Sequence, residues 1–398
     1  MSRASEVTRL DVYRGPHLAG RLVRTDSGCR FEPTEVSLAG EVPASVGFRI
    51  GKEPVEVQGV NLPAFFANLL PEGLRFAALV GRVGTSVDDL FSLLAEVGED
   101  CVGDVSAVPV GQEVRPPSEE IALHAENVDF EDVAVRLRRE AGRTGIPGVQ
   151  LKLSASMVTL PTHDRVGLLK LEPPEYPNLP ANEAACMARA KRAGIEVAAV
   201  RIVRDRLGRS ALYARRFDRV VRRGRVIGRV HVEDGCQLCD RYPADKYRLS
   251  LRDIASAIAD FSSSPKREIL RLLQLHAFSY LFGNSELHAK NVSLWVRPGT
   301  RIVELCPAYD LVCTVVFPNL RPNMALMIEG RDENLRMHEF VTFASRFGLP
   351  PEAVRSSLRV VLAATEGWTE EIESFAPSKG DAQRAAALLA QRRSRLEV

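Results

Sequence analysis

The sequence has no long apolar run. No stretch of its 398 residues approaches the ~18 consecutive apolar residues of a membrane helix, so no membrane-spanning role is expected. Met1 to Val7 contain no apolar h-region, so no secretory signal is expected and the chain reads as cytoplasmic. Charge of one sign is also lacking. Lys and Arg number 53 against 51 Asp and Glu, a net charge of +2, which excludes a histone-like or strongly acidic chain but leaves room for a local basic patch. Cysteine is sparse: seven residues, at 29, 101, 186, 236, 239, 306 and 313, are odd in number and scattered, which fits reduced thiols rather than a disulfide framework. Cys236 and Cys239 form the one close pair, and without a second pair or matching histidines no structural zinc site is expected. Aromatic residues, at 6%, are few for a nucleic-acid stacking platform. What is present is ordinary globular material, 45% hydrophobic and 26% charged, long enough for two or three domains with a real core.

The chain changes class along its length. Leu10 to Tyr13 and Leu18 to Val23 flank a Gly15-Pro16 turn as a hairpin, and Val46 to Ile50 and Val55 to Val57 read as further short strands. Helices follow at Pro63 to Leu70, Leu74 to Val83 and Leu90 to Val97, the last with Ser86 to Asp89 as its capping region. Val108 to Glu120, rich in Pro and Gly, is a candidate boundary. Glu131 to Ala141 reads as an amphipathic helix. Leu151 to Leu160 and Val166 to Leu171 then form a hairpin, Asn182 to Arg192 a helix, and Val197 to Arg204, Ala211 to Phe217 and Val226 to Val232 further strands. From Ser250 the chain turns helical, with a long helix over Pro265 to Phe282 stopped at Gly283-Asn284. The expected fold is α+β: a small β-rich N-terminal subdomain (1–110), a second lobe of strands and helices (120–245) and a mostly helical C-terminal lobe (246–398).

Chemistry concentrates in one segment. After the long helix, Glu286, His288, Lys290 and Asn291 crowd into six positions, and Tyr309-Asp310 follow after a short strand. An acid, an Asn five residues on and an Asp at a later strand end follow the spacing logic of a kinase catalytic loop and its metal-binding carboxylate. An ordinary polar surface loop is the alternative. Gly145 to Lys152 precedes a strand, and its backbone N–H groups suit phosphate, although such loops are often plain turns. Lys170 ends an apolar strand from which it can reach phosphates. Glu183, on the next helix, is a candidate ion-pair partner; an exposed strand end and a solvated helix N-terminus are the plain alternatives for the two residues.

Eight short stretches in one order carry a resemblance. They are Asn68 to Gly73, Val97 to Gly103, Pro147 to Lys152, Leu179 to Glu183, Arg216 to Arg219, His231 to Gln237, His288 to Asn291 and Pro307 to Asp310. Together they make the chain resemble the HipA-like serine/threonine kinases, toxins of bacterial toxin–antitoxin modules, and the resemblance implies a two-lobed kinase-like fold in which 120–245 is the nucleotide-binding lobe and 246–398 the helical lobe with the catalytic loop. The resemblance implies ATP and Mg2+ as cofactors. It implies that Pro147, Gly148, Val149, Gln150 and Lys152 belong to the phosphate-covering loop and that Lys170 is the phosphate lysine. Arg215, Arg216 and Phe217 fall in the hinge over the adenine, and Tyr309 joins the nucleotide site. Asn291 and Asp310 are implied as metal ligands, and Glu286, His288 and Lys290 as the catalytic group, His288 also packing near the γ-phosphate. A helix-turn-helix antitoxin, DNA met only through it, and a protein substrate such as an aminoacyl-tRNA synthetase or another translation component are the implied partners; no membrane is.

Three departures qualify this. Glu286 stands where the family has Asp, so activity is expected to be weakened or lost. Gly145 stands where many members carry an autophosphorylated Ser, leaving Thr144, Ser154 and Ser156 as candidate hydroxyls. Arg215 replaces a common acidic residue. A growth-inhibiting protein kinase leads; a nucleotide-binding pseudokinase and a small-molecule kinase are the alternatives. Arg222, Arg223, Arg392, Arg393 and neighbouring basic residues are read as solvated surface.

Overall fold

The structure, a computed structural model, describes residues 6–34, 47–50, 53–59, 62–112, 129–142, 158–162, 166–223 and 225–397. Pro147, Gly148, Val149, Gln150 and Lys152 and the candidate hydroxyls Thr144, Ser154 and Ser156 lie outside the described residues.

Alternating apolar positions build a five-stranded antiparallel sheet from β1 (Arg9–Arg14), β2 (His17–Arg24), β3 (Gly28–Pro33), β4 (Val55–Gln58) and β5 (Val105–Pro109), ordered β4-β3-β2-β1-β5. Gly15 takes a positive φ of 56° in the β1–β2 turn, a conformation that a Cβ would penalise. Leu10 and Leu22 face each other in register and pack with Phe31, Phe66 and the apolar faces of α1 (Ala64–Ala67), α2 (Gly73–Val83) and α3 (Leu90–Val97). Residues 47–50 form bends rather than the expected strand. Their placement comes from tertiary contacts: the Phe48 ring stacks on Phe261 at 5.6 Å and its N–H donates to Glu233 Oε1 at 2.5 Å. Within the expected capping region, Asp89 caps α3 by accepting from the Ser92 N–H at 3.2 Å.

Helix α4 (Phe130–Gly142) sets Phe130, Val133 and Ala134 against Leu169, Leu171 and Ala211 of a second antiparallel sheet, with Leu74 of α2 at the same cluster. That sheet runs β6 (Val158–Pro161), β7 (Gly167–Leu171), β9 (Ser210–Arg215) and β8 (Val200–Arg204). Helix α5 (Leu179–Arg192) links β7 to β8. The strand expected over Val226 to Val232 is two elements. β11 (Arg225–Arg229) pairs with β10 (Arg219–Arg222) in a ribbon, and β12 (Val232–Asp234) joins β13 (Ser293–Val296) and β14 (Val303–Leu305) in a third sheet. An arginine-rich pattern concealed β10.

The helical part comprises α6 (Gly235–Leu238), α7 (Leu251–Phe261), α8 (Pro265–Phe282), α9 (Met337–Ser345), α10 (Pro351–Ala364), α11 (Trp368–Glu371) and α12 (Lys379–Glu397). Ser250 caps α7 reciprocally: the Asp253 N–H donates to its hydroxyl at 3.3 Å and the Asp253 carboxylate accepts from its N–H at 2.8 Å. Helix α8 is buried on nearly every face of its last ten residues, and Gly283, at φ 78°, ends it. The fold is α+β and kinase-like, as expected. All seven cysteines are free thiols, and all but Cys239 are buried. Among the described residues no helix is long and apolar enough to cross a membrane.

Candidate active site

The period-2 geometry of β7 decides where Lys170 goes. Leu169 and Leu171 face the cluster around Phe130, so Lys170 between them points to the opposite side of the sheet, toward α5. There its ammonium donates to Glu183 Oε1 at 2.5 Å and is paired with the Asp310 carboxylate. The Lys170 and Glu183 side chains are almost fully buried, while that of Asp310 remains 41% exposed. Burial works against the Lys170 ammonium, but Asp310 and Glu183 outweigh it and raise its pKa above the ordinary lysine value. Burial pushes the Glu183 carboxyl up, against the pull of the ammonium.

Asp310 is placed by a chain of hydrogen bonds. It adopts a positive φ of 55°, an uncommon conformation for a residue with a Cβ. Before it, the Ala198 N–H donates to Ala308 O at 2.9 Å and the Ala308 N–H to Glu196 O at 2.8 Å. After it, fully buried Asn182 clasps Cys313 from both sides: its Nδ2 donates to Cys313 O at 3.0 Å and its Oδ1 accepts from Cys313 N at 2.8 Å. The next residue, Thr314, donates its N–H to Gly283 O at 2.8 Å, and its hydroxyl accepts from the Ser285 N–H at 2.9 Å. Helix α5, the Asp310 segment and the loop after α8 are therefore one hydrogen-bonded unit.

That loop carries the remaining candidates. Glu286 Oε2 accepts from the Tyr247 hydroxyl at 2.6 Å. Asn291 Nδ2 donates to the Glu286 backbone O at 2.9 Å, so its carbonyl oxygen is the side-chain atom suited to a cation. His288 is buried and meets the Tyr247 ring edge-on at 5.1 Å. Lys290 is engaged elsewhere: its ammonium donates to Asp234 Oδ2 at 2.6 Å and Asn68 Oδ1 at 3.0 Å, tying the loop to the N-terminal subdomain. Burial disfavours its charge, and Asp234 and then Glu72 overcome this and raise its pKa. Tyr309 donates to Lys290 O at 2.8 Å, and Phe217 lies 5.7 Å from the Tyr309 ring.

A cleft of about 400 Å³ gathers Lys170, Arg215, Arg216, Phe217, Glu286, His288, Lys290, Asn291, Tyr309 and Asp310 on its walls. The Arg215 N–H donates to Ala199 O and the Arg216 N–H to Val166 O, both at 2.8 Å, so these two N–H groups are engaged within the protein. The Arg216 guanidinium is buried on Asp218, at 2.8 Å, and Asp100, at 3.4 Å. Arg392, read as surface, is buried and paired with Glu333. Sequence reasoning missed Asn182, Asn68 and Asp234 as positioning residues. All three fall inside the motif stretches, and that was their signal; Tyr247 had none.

Among the described residues no group of three or more His, Cys, Asp or Glu side chains forms a metal cage. Asp310 and Asn291 supply two hard oxygens, the donor class Mg2+ takes, which fits a cation completed by phosphate oxygens and water.

Residues 144–368 match the HipA-like C-terminal domain and residues 10–108 the HipA N-terminal domain. A putative kinase of Sinorhizobium fredii, Y4dM, is 33% identical over 293 residues, 68% of this chain and 64% of that protein. The match to this relative thus spans less than two thirds of its length. The serine/threonine-protein kinase toxin HipA of Shewanella oneidensis is 28% identical over 366 residues, 82% of each chain. The solved complex of Shewanella oneidensis HipA with HipB and operator DNA contains a chain of the same fold, at TM-score 0.76 and 23% identity, covering 97% of this chain and 96% of that one.

Proposed function

This chain belongs to the HipA family, and from that membership we propose that it is a cytoplasmic, ATP- and Mg2+-dependent serine/threonine protein kinase acting as a growth-inhibiting toxin. The carrying observation is the convergence of Lys170, Glu183 and Asp310 on a cleft that Glu286 and Asn291 also line. One ammonium between two carboxylates leaves net negative charge, which suits a cation. Bound Mg2+ would neutralise phosphate charge during transfer. Lys170, steadied by Glu183, binds phosphate oxygens. Glu286 orients the substrate hydroxyl and takes its proton as the hydroxyl oxygen bonds to the γ-phosphorus and the bond to the ADP oxygen breaks. His288 and Lys290 shape the loop, Lys290 by anchoring it to Asn68 and Asp234. The divisions 1–110, 120–245 and 246–398 then describe a cap, a nucleotide lobe and a catalytic lobe. The partner is a helix-turn-helix antitoxin, through which DNA is met, and the substrate a translation component such as an aminoacyl-tRNA synthetase.

A second reading, a nucleotide-binding pseudokinase, draws on the Tyr247–Glu286 hydrogen bond, which occupies the longer carboxylate with an internal donor. Glu286→Asp separates the two. Restoring the shorter side chain shifts the carboxylate by about 1 Å, a displacement worth on the order of 10²-fold in rate. Transfer of labelled γ-phosphate is expected to rise in Glu286→Asp and to vanish in Asp310→Asn. An unchanged rate in the first variant, with transfer intact in the second, would overturn the catalytic assignment.

A further inference from the structure

One cation in the cleft has no counterpart on its own side. Arg75, in the first turn of α2, lines the cleft wall beside Asp100 and the 56% exposed Val102. Among the described residues it enters no ion pair and no hydrogen bond, and the carboxylate that attracts it, Asp100, already accepts from Arg216 at 3.4 Å and Arg219 at 2.7 Å. Asp218 takes the same two arginines, at 2.8 Å and 2.7 Å. Arg229 is held by the carbonyl oxygens of Gly103 and Cys101, at 2.8 Å and 2.9 Å. Asp100 and Asp218 are thus both taken up by Arg216 and Arg219, and Arg75 stands in the cleft wall without a carboxylate of its own among the described residues. Burial, and after it the Arg216 charge, pull the Arg75 pKa down, as expected of a cation without a matching anion. Lys170 differs from Arg75 in having two carboxylate partners, Glu183 and Asp310. An unpaired guanidinium fork in a concave wall has the chemistry of carboxylate and phosphate recognition, and the N-terminal turn of α2 adds partial positive charge.

We propose that Arg75 is a substrate-reading residue that binds an oxyanion, a phosphorylated or acidic side chain, on the protein that accepts the phosphoryl group. The N-terminal subdomain thereby forms part of the substrate site, with Val102 offering an apolar contact beside the anion. This specificity role rests on the kinase reading above.

The test titrates O-phosphoserine and aspartate, in separate arms, into the full chain without ATP, followed by calorimetry. Wild type is expected to bind at least one, and the arm that binds identifies the source of the oxyanion. Arg75→Gln is expected to weaken binding roughly tenfold or more. Arg75→Lys, which keeps the charge but loses the fork, is expected to fall between and carries the test if Arg75→Gln fails to fold. Ser250→Ala, at the remote α7 cap, is expected to bind as wild type does. Binding to neither ligand, or equal binding by wild type and Arg75→Gln, overturns the proposal. A companion assay measures transfer to serine peptides flanked by phosphoserine, aspartate or alanine; wild type is expected to favour an anionic flank and Arg75→Gln to lose that preference. Arg75-dependent binding in a protein that transfers no phosphate would remove the kinase reading and leave the oxyanion site standing.

Discussion

Lys170 is the residue on which the site balances. Its ammonium faces two carboxylates, one of them in Glu183, which is buried more deeply than the lysine itself. Breaking a buried ion pair by removing one partner leaves an uncompensated charge, at a cost of roughly 3–5 kcal/mol. Lys170→Met is therefore expected to lower stability strongly in chemical denaturation and to abolish nucleotide-dependent stabilisation. Adding Glu183→Gln removes the orphaned charge, so the double variant is expected to recover much of the stability and none of the nucleotide effect. Additive losses in this double-mutant cycle would mean that the two residues act independently. Lys170 and Glu183 were legible as a candidate pair, and the burial of both side chains rules out the exposed strand end and the solvated helix N-terminus that were their alternatives. Lys290 was assigned to the catalytic group through the resemblance alone. Its engagement with Asn68 and Asp234 depends on segments far away in the chain, which no local pattern encodes.

Between elements, the joint that matters is made by an amide. Asn182 hydrogen-bonds both backbone groups of Cys313 and so fixes the start of α5, which carries Glu183, to the segment that carries Asp310. Asn182→Ala strips partners from two buried backbone groups. At about 1–3 kcal/mol for each unsatisfied group, roughly 3 kcal/mol of stability should be lost in urea unfolding. Nucleotide-dependent stabilisation should fall further than in Ser250→Ala, which removes a remote cap worth about 1 kcal/mol. If both variants weaken nucleotide binding equally, the joint is structural only. The elements themselves were mostly legible. Pro265–Phe282 has proline in its first turn and glycine just past its end, and its structured limits coincide with those signals. Residues 47–50 and β10 were misread for opposite reasons. The first are apolar yet held by Phe261 and Glu233 rather than by a neighbouring strand; the second are arginine-rich yet paired in a ribbon. In both, tertiary partners override local pattern.

For the molecule as a whole, the question is what docks the N-terminal sheet onto the rest. Part of the answer is the arginine–aspartate network around Asp100 and Asp218. Another part is buried His231, whose Nδ1 lies 2.7 Å from Asp104 of the N-terminal subdomain and whose Nε2 lies 2.8 Å from Glu233. The Phe48 ring covers it edge-on at 5.0 Å, and Arg14 pairs with Asp104 at 3.2 Å. Burial works against the imidazolium, and Asp104 and then Glu233 outweigh it, raising the pKa above 6.5. Burial likewise works against the Asp104 carboxylate, and the His231 and Arg14 charges hold it down at about 2. The raised histidine contributes its full stability below pH 6.5 and loses it as pH rises through the folded value. The lowered aspartate contributes above its ordinary 3.8 and loses its share as pH falls toward about 2. The junction is therefore strongest between these limits and weakens toward alkaline pH. His231→Gln, which keeps a donor but cannot carry the charge, is expected to cost roughly 3 kcal/mol in denaturant unfolding at pH 6. The gap from wild type is expected to narrow by pH 9, because wild type itself loses the imidazolium there. A gap of the same size at both pH values would mean that His231 is neutral throughout and that the arginine–aspartate network alone holds the sheet in place.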